Sequence, residues 1–236
     1  MRWRERDGVR WLEADLGGAR AAFSTRIGGV SEPPFDTLNL GLLSEDAQEA
    51  VDENRQRLAA ALQLSPGRVV FSRQVHGTRL VEAAAGAPPV EADGQVVREP
   101  GRAPLVFVAD CLPVALHGPD GLAMVHAGWR GLAGGILAAA AEAVGATGAA
   151  IGPGIGPCCY EVGDEVLAAF ADLGDGVVDG RLLDLPEVAR RHLAAAGVAR
   201  VESAGLCTSC EEQLFFSYRR DRGRTGRQAG IAWIEG

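Results

Sequence analysis

The chain has 236 residues, of which 47% are hydrophobic and 23% charged, a composition typical of an ordinary globular protein. Its formal net charge of −8 at pH 7 argues against general attraction to nucleic acid or anionic lipid and favours a small-molecule substrate. All 23 basic residues are arginines, which excludes mechanisms that need a lysine side chain, such as Schiff-base catalysis.

Strand-like segments alternate with helical patterns along the chain, and Gly, Pro and Asp residues separate them. The predicted strands are Ala19–Ser24, Arg68–Phe71, Pro104–Ala109, Gly121–Val125, Ala149–Gly152 and Gln228–Ile234. The predicted helices are Asp46–Leu62, Gly131–Val144, Gly163–Phe170 and Pro186–Ala196. This alternation predicts a mixed α/β fold, and the length favours one domain over residues 1–236, with two domains as the alternative. The loop Ala83–Ala92 is rich in Ala and Pro but is too short to separate domains.

The N-terminal stretch is charged throughout and has no apolar run of the signal-peptide type. No segment approaches the ~18 apolar residues that cross a bilayer. We therefore expect a cytoplasmic protein with no membrane partner; its oligomeric state is left open. In a reducing compartment, the five cysteines are expected to be free thiols or metal ligands rather than disulfides.

Three side chains with metal-binding chemistry each lie at the edge of an apolar segment: His76, Cys111 and His126. Two imidazoles and one thiolate would fill three positions around a tetrahedral zinc and leave one for water or substrate, as in catalytic sites. Loops at strand ends of α/β proteins converge on one crevice, which favours a shared site. The intervals between the three match no short metal signature, so a small buried cysteine and structural histidines remain the alternative.

The segment GLAMVHAGWRGLAGGI predicts a strand that ends near His126, followed by a glycine-bearing turn and a helix. Backbone N–H groups at such a helix start, together with Arg130, favour binding of a phosphate or carboxylate. The alternative is a tight turn whose arginine is merely solvated.

Four further cysteines form two pairs, Cys158-Cys159 and Cys207-x-x-Cys210. A four-sulfur metal site is the less favoured interpretation, because adjacent cysteines seldom bind one ion together; a rigid Gly/Pro loop is favoured instead. An arginine-rich segment near the C-terminus is most simply a solvated loop, with a phosphate or a partner subunit as the alternative ligand. Its arginines are Arg219, Arg220, Arg222, Arg224 and Arg227.

Six blocks in one order resemble the YfiH-like family of laccase-domain proteins, over about residue 23 to the C-terminus. The blocks are FSTRIGGVSEPPFDTLNLG, QVHGT, ADCLPV, HAGWRGLAGG, IGPGIGPCCYEVG and FFSYRRDRGRTGRQA. The resemblance implies a sandwich of mixed β-sheets covered by helices. It also implies a metal-dependent enzyme that phosphorolyses adenosine, inosine and S-methyl-5′-thioadenosine and deaminates adenosine, so that purine nucleosides and phosphate are the expected partners.

The family's His-Cys-His metal site maps onto His76, Cys111 and His126, which the resemblance therefore implies as catalytic metal ligands. The metal is expected to be zinc, with copper possible. Arg55, which follows Asn54, is implied as a substrate-binding residue, and Arg26 and Asn39 are further candidates beside Arg130.

A zinc in this setting lowers the pKa of bound water, and Asp110 or Asp93 could then move the proton during deamination. Two alternatives stay open. The first is a copper-dependent polyphenol oxidase, although its clusters need more histidines than the four present here. The second is a non-enzymatic or editing role in peptidoglycan precursor metabolism.

Overall fold

The computed structural model describes residues 1–41, 44–84 and 89–235, so positions 85–88 of the predicted loop Ala83–Ala92 lie outside the described residues. The strands are β1 (Arg2–Arg6), β2 (Val9–Asp15), β3 (Ala19–Ser24), β4 (Val69–Phe71), β5 (Leu80–Glu82), β6 (Gly94–Val97), β7 (Ala103–Val108), β8 (Leu112–Gly118), β9 (Gly121–Ala127), β10 (Gly148–Ile151), β11 (Val178–Asp179), β12 (Leu182–Leu183), β13 (Arg200–Ser203) and β14 (Gln228–Ile234). The helices are α1 (Gln48–Ala61), α2 (Trp129–Ala133), α3 (Ile136–Val144), α4 (Asp164–Ala169) and α5 (Leu185–Ala195).

Most of the strands form two six-stranded mixed sheets. The first sheet has the order β1-β2-β3-β14-β7-β4, and only its β7–β4 pair is parallel. The second sheet has the order β13-β10-β8-β9-β6-β5, with parallel pairs at both edges and antiparallel pairs between them. Strands β11 and β12 form a separate antiparallel pair.

The two sheets pack face to face, and helices cover their outer faces. One apolar cluster joins Leu12, Phe23 and Val106 of the first sheet to Leu122 and Met124 of the second. A second cluster packs α3 and α5 against the other face of the second sheet. A third packs α1 against the first sheet. The resulting α/β/β/α layers bury apolar surface on both faces of each sheet, which supplies the main driving force for this arrangement.

The predicted mixed α/β fold, with mixed sheets covered by helices, is confirmed. The predicted strands Ala19–Ser24 and Gln228–Ile234 have the same bounds as β3 and β14. The prediction of one helix over Gly131–Val144 is wrong, because α2 ends before Gly134 and α3 begins after Gly135. Gly135 has φ +84°, a left-handed conformation that glycine adopts without steric cost and that interrupts a right-handed helix.

The apolar segment LVFVADCLPVAL changes sheets in its middle. Strand β7 ends at Val108 in the first sheet, and β8 begins at Leu112 in the second. Asp110 and Cys111 therefore lie in the crossover between the sheets. Within the described ranges, none of the helices combines the length and apolar character needed to cross a bilayer.

Candidate metal centre

Three separate segments bring His76, Cys111 and His126 together. Cys111 lies in the crossover from β7 to β8, and His126 lies in β9 opposite Pro113 of β8. His76 lies in the loop that follows β4. The order of strands β8, β9 and β6 in the second sheet thus sets where the cysteine and one histidine lie.

The potential ligand atoms of these three residues all lie within 4.8 Å of one another. The two imidazole ring centroids are 4.8 Å apart, and the rings are steeply inclined at 80°. His126 is only 3% exposed, whereas Cys111 is half-buried and His76 is exposed. The group is therefore anchored in the core on one side and open to small molecules on the other.

Asp93 holds two of the three residues in place, His126 through its side chain and His76 through its backbone. It precedes β6 and is 1% exposed, and its Oδ1 atom lies 2.8 Å from Nδ1 of His126. Its carboxylate also accepts backbone N–H groups of Val75, His76 and Gly77 at 3.2, 2.9 and 2.7 Å. An Nδ1–H donated to Asp93 leaves Nε2 of His126 free as a ligand, which is the usual arrangement behind metal-bound histidines.

The electrostatics of Asp93 agree with this role. Burial alone raises the pKa of its carboxyl, but hydrogen bonds from His126 and from the Gly77 and Val75 backbone outweigh it, and the pKa is lowered. Asp93 is therefore ionised at neutral pH and acts as a hydrogen-bond acceptor. This environment favours an orienting role over the proton-transfer role considered from the sequence.

Backbone strain is concentrated at the same group. His76 has φ +59° and Asp110, next to Cys111, has φ +88°, both in the left-handed region that non-glycine residues rarely adopt. Such strain persists where surrounding contacts impose it and is common at functional sites. At Gly128 a Cβ atom would lie 3.0 Å from the Cys111 sulfur and 3.2 Å from Cδ2 of His76, so a larger residue would crowd both side chains.

The Cys111 thiolate and the His126 imidazolium stabilise each other's charge. Burial raises the pKa of the Cys111 thiol, but the charge and hydrogen bonding of His126 dominate and lower it to about 6. Burial lowers the pKa of His126, but the Cys111 thiolate and Asp93 raise it to about 9. Between these values the thiolate, which is the form that binds metals, is already present.

The donor set therefore fits a metal ion that accepts imidazole and thiolate ligands. Two imidazoles and one thiolate leave a tetrahedral ion one open position, and Asp93 supplies the hydrogen bond that such a histidine ligand requires. His76, Cys111 and His126 could hold such an ion.

The charge of Cys111 acts on one phenolic and one cationic side chain, Tyr160 and Arg227, and sequence reasoning missed the tyrosine. Burial, followed by the charge of Cys111, raises the pKa of Tyr160 to about 12, while Arg219 and Arg130 act in the opposite direction. Burial lowers the pKa of Arg227, whereas the charges of Tyr218, Cys111 and Asp110 raise it. Tyr160 and Arg227 thus interact electrostatically with Cys111, and Arg130 interacts with Tyr160, although long stretches of sequence separate these residues.

The other predicted substrate-binding residues make contacts within the protein. Arg26 donates to the Asp36 carbonyl at 2.6 Å and to the Glu212 carbonyl at 3.1 Å. Asn39 is fully buried, and its side-chain oxygen accepts the Arg227 backbone N–H at 2.8 Å. Asn39 thereby holds the segment that carries Arg227, and the assignment of Arg26 and Asn39 to substrate stays a prediction.

Arg55 lies on α1 and donates Nη2 to the Leu40 carbonyl at 2.7 Å. Its guanidinium lies over the rings of Phe71 and Phe107, at 5.6 and 5.4 Å from their centroids. It lines an apolar cavity of about 130 Å³ that contains none of the three potential metal ligands. Its proposed substrate contact also stays a prediction.

Comparisons with known proteins agree with this architecture. A family model described as multi-copper polyphenol oxidoreductase laccase matches residues 20–235. The chain is 40% identical to purine nucleoside phosphorylase PA4543 of Pseudomonas aeruginosa, over 95% of this chain and 98% of that protein. It is 41% identical to purine nucleoside phosphorylase YfiH of Escherichia coli, over 92% of this chain and 94% of that protein.

Solved structures show the same fold. YlmD of Geobacillus stearothermophilus has a TM-score of 0.90 at 36% identity, covering 99% of this chain and 98% of that one. The hypothetical protein YfiH of Bacillus licheniformis has a TM-score of 0.90 at 33% identity and covers 99% of both chains. The chain therefore belongs to the multi-copper polyphenol oxidoreductase laccase family, together with its YfiH and YlmD relatives.

Proposed function

We propose that this protein is a zinc-dependent purine nucleoside phosphorylase that acts on adenosine, inosine and S-methyl-5′-thioadenosine, and that the same site deaminates adenosine. The relatives named purine nucleoside phosphorylase align over nearly their whole lengths at about 40% identity. The single observation that carries the proposal is the convergence of His76, Cys111 and His126. Charge interactions connect this group to Tyr160 and Arg227, and Tyr160 to Arg130.

The ligands and their support suit zinc. Zinc bound by two imidazoles and one thiolate supplies Lewis acidity and lowers the pKa of a coordinated water toward neutrality. Asp93 keeps His126 in the tautomer that presents Nε2, and the backbone contacts of Asp93 hold the His76 loop. The exposed side of His76 leaves room for a nucleoside to approach.

Phosphorolysis requires the protein to hold a phosphate close to the ribose. A phosphate oxygen forms a bond to C1′ while the C1′–N9 bond breaks. The electron pair of the broken C1′–N9 bond stays with the purine, which takes up a proton. Arg130 is exposed and stacks over Trp129, with its guanidinium 4.2 Å from the ring centroid. Arg227 donates Nη1 to the carbonyls of Thr225 and Gly226, and no carboxylate among the described residues pairs with it. These two guanidiniums are suited to bind the anion.

Tyr160 is suited to assist the departing base. Its raised pKa keeps the phenol protonated at neutral pH, and none of the residues that the structure describes accepts a hydrogen bond from it. It can therefore donate a hydrogen bond to a purine nitrogen as negative charge develops there. Asp110 is less free, because its oxygens accept the Thr208 hydroxyl and the Arg219 backbone N–H, both at 2.7 Å.

The proposal is tested by product analysis of the zinc-loaded protein. With adenosine and phosphate we expect adenine and ribose 1-phosphate, and without phosphate we expect inosine and ammonia. His126→Ala should abolish both reactions together with zinc binding at the His76–Cys111–His126 centre. His192→Ala is the matched control, because His192 lies on α5 and faces Phe170. A His126→Ala protein that has lost the zinc of this centre but still phosphorolyses inosine would contradict the proposal.

A copper-dependent polyphenol oxidase is the second candidate, favoured by the description of the family model. Of the four histidines in the sequence, His117 contacts the Leu16 carbonyl and His192 lies on α5. Only two histidines thus remain for the centre, whereas multi-copper clusters use many more. Oxygen uptake with a phenol after stoichiometric copper loading would support this candidate.

A further inference from the structure

Two loops bring the four remaining cysteines together. One loop follows β10 and carries Cys158 and Cys159, and the other follows β13 and carries Cys207 and Cys210. The parallel pairing of β10 with β13 continues into these loops as a bridge between Gly154 and Cys207. The Thr208 N–H donates to the Gly154 carbonyl at 3.0 Å. The sheet edge therefore fixes the position of one cysteine pair relative to the other.

The four sulfur atoms lie within 4.8 Å of one another. The Cys210 sulfur is 3.3 Å from that of Cys158 and 3.4 Å from that of Cys159. Sulfur ligands of a tetrahedral zinc, with bonds of about 2.3 Å, are about 3.8 Å apart, so the observed cluster has the size of a four-thiolate site. The Gly156 N–H donates to the Cys207 sulfur at 3.2 Å, a contact that stabilises a thiolate ligand.

We propose that Cys158, Cys159, Cys207 and Cys210 form a second metal centre, a closed four-thiolate site that binds a structural zinc ion. Soft thiolate ligands select zinc over hard cations, and four protein ligands leave no position for a substrate. Four sulfurs at this spacing repel each other as thiolates, and a divalent cation removes that repulsion. Cys158 and Cys210 are exposed, so an ion can reach the cluster from solvent. The inference stands independently of the proposed enzymatic activity.

From the sequence alone, a rigid loop is favoured over this site because adjacent cysteines seldom bind one ion together. The turn at 157–159 places the sulfurs of both adjacent cysteines against Cys210, and this removes that objection. The turn is closed by the Cys159 N–H, which donates to the Gly156 carbonyl at 3.0 Å.

Hydrogen bonds connect the four-cysteine site to the segment that carries Cys111. Arg219 donates to the Glu161 carbonyl at 2.8 Å, and Thr208, one residue after Cys207, donates its hydroxyl to Asp110 at 2.7 Å. Asp110 in turn precedes Cys111. Zinc in the four-thiolate site would therefore hold the loops that carry Tyr160 and Arg219 against the crossover between the sheets. Loss of this zinc is expected to loosen the loops that carry Tyr160 and Arg219, while His76, Cys111 and His126 stay in place.

The test is metal analysis of protein purified under reducing, anaerobic conditions, with two matched single substitutions. Cys111→Ser and Cys210→Ser each replace one sulfur by oxygen, one in each centre. We expect about two zinc ions per chain in the unmodified protein and about one in each variant. With cobalt in place of zinc, Cys111→Ser should keep the strong near-ultraviolet thiolate-to-cobalt absorption, and Cys210→Ser should lose most of it.

Alkylation of the unmodified protein keeps the test decisive if a variant does not fold. After peptide mapping, zinc should protect Cys158, Cys159, Cys207 and Cys210 from iodoacetamide, and a chelator should remove this protection. A single zinc per chain that Cys111→Ser abolishes would overturn the inference. A disulfide between Cys210 and either of the adjacent cysteines in the reduced preparation would overturn it as well.

Discussion

Replacing Asp93 by asparagine tests how the proposed metal ligands are held in place. The Asp93 carboxylate has two oxygens that accept four hydrogen bonds, one from His126 and three from the 75–77 backbone. Asparagine offers one oxygen and one amide group, so at least one N–H would face another donor. Each hydrogen bond to a charged acceptor contributes about 1.5–3 kcal/mol to stability. We expect Asp93→Asn to lower the free energy of unfolding by about 3 kcal/mol.

The effect on metal binding follows from the orientation of His126. Loss of the hydrogen bond behind a histidine ligand weakens metal binding about 10- to 100-fold, or about 1.4–2.7 kcal/mol. The loss of zinc affinity caused by Asp93→Asn should be smaller at pH 7 than at pH 9. Asp93 helps to raise the pKa of His126 to about 9, so its removal also reduces the competition from protons at pH 7.

The assay is competition with a zinc chelator, using a chain that also carries Cys207→Ser and Cys210→Ser so that one centre remains. Asp184→Ala is the control for general destabilisation. Its carboxylate caps α5 by accepting the Glu187 N–H at 2.9 Å, and its loss should cost about 1 kcal/mol of stability without changing zinc affinity. Equal zinc affinities of the Asp93→Asn and Asp184→Ala proteins would refute the reasoning.

Three further predictions concern the chemistry of the site. Alkylation of Cys111 in the metal-free protein, measured by mass spectrometry, should increase with pH around a midpoint near pH 6, because the reactive thiolate is present above that value and is lost below it. His126→Ala should move this midpoint upward. An unchanged midpoint would contradict the ion pair between Cys111 and His126. Tyr160→Phe should slow phosphorolysis about 10²-fold with zinc content unchanged, and an unaltered rate would exclude the phenol from the reaction. Arg130→Gln should raise the KM for phosphate about tenfold. Arg224→Gln, an exposed arginine paired with Glu45, should leave it unchanged, and equal effects of the two would indicate only a general charge effect.

Local sequence patterns predicted β3, β4, β7, β9, β10 and β14, which are apolar segments bounded by glycine, proline or aspartate. They missed β1, whose residues are all exposed, because a charged edge strand has no apolar alternation. They also missed β8, because Asp110, Cys111 and Pro113 interrupt the apolar segment where the chain changes sheets. The crossover that positions Cys111 is thus a tertiary feature with no local signal.

The three potential metal ligands could be chosen from the sequence because histidine and cysteine are scarce and each of the three lies at the edge of an apolar segment. Tyr160 could not be chosen, since it faces the site only after the β10–α4 loop folds back beside the crossover. Asp93 was considered only for proton transfer. Its position behind His126 depends on the pairing of β6 with β9, which the sequence does not reveal.

Zinc-edge X-ray absorption of the protein carrying Cys207→Ser and Cys210→Ser tests the central claim most directly. This protein keeps only the centre formed by His76, Cys111 and His126. We predict one sulfur at about 2.3 Å and two imidazole nitrogens at about 2.0–2.1 Å, with one further light atom from solvent. A zinc coordinated without sulfur, or a protein that retains no zinc, would contradict the account.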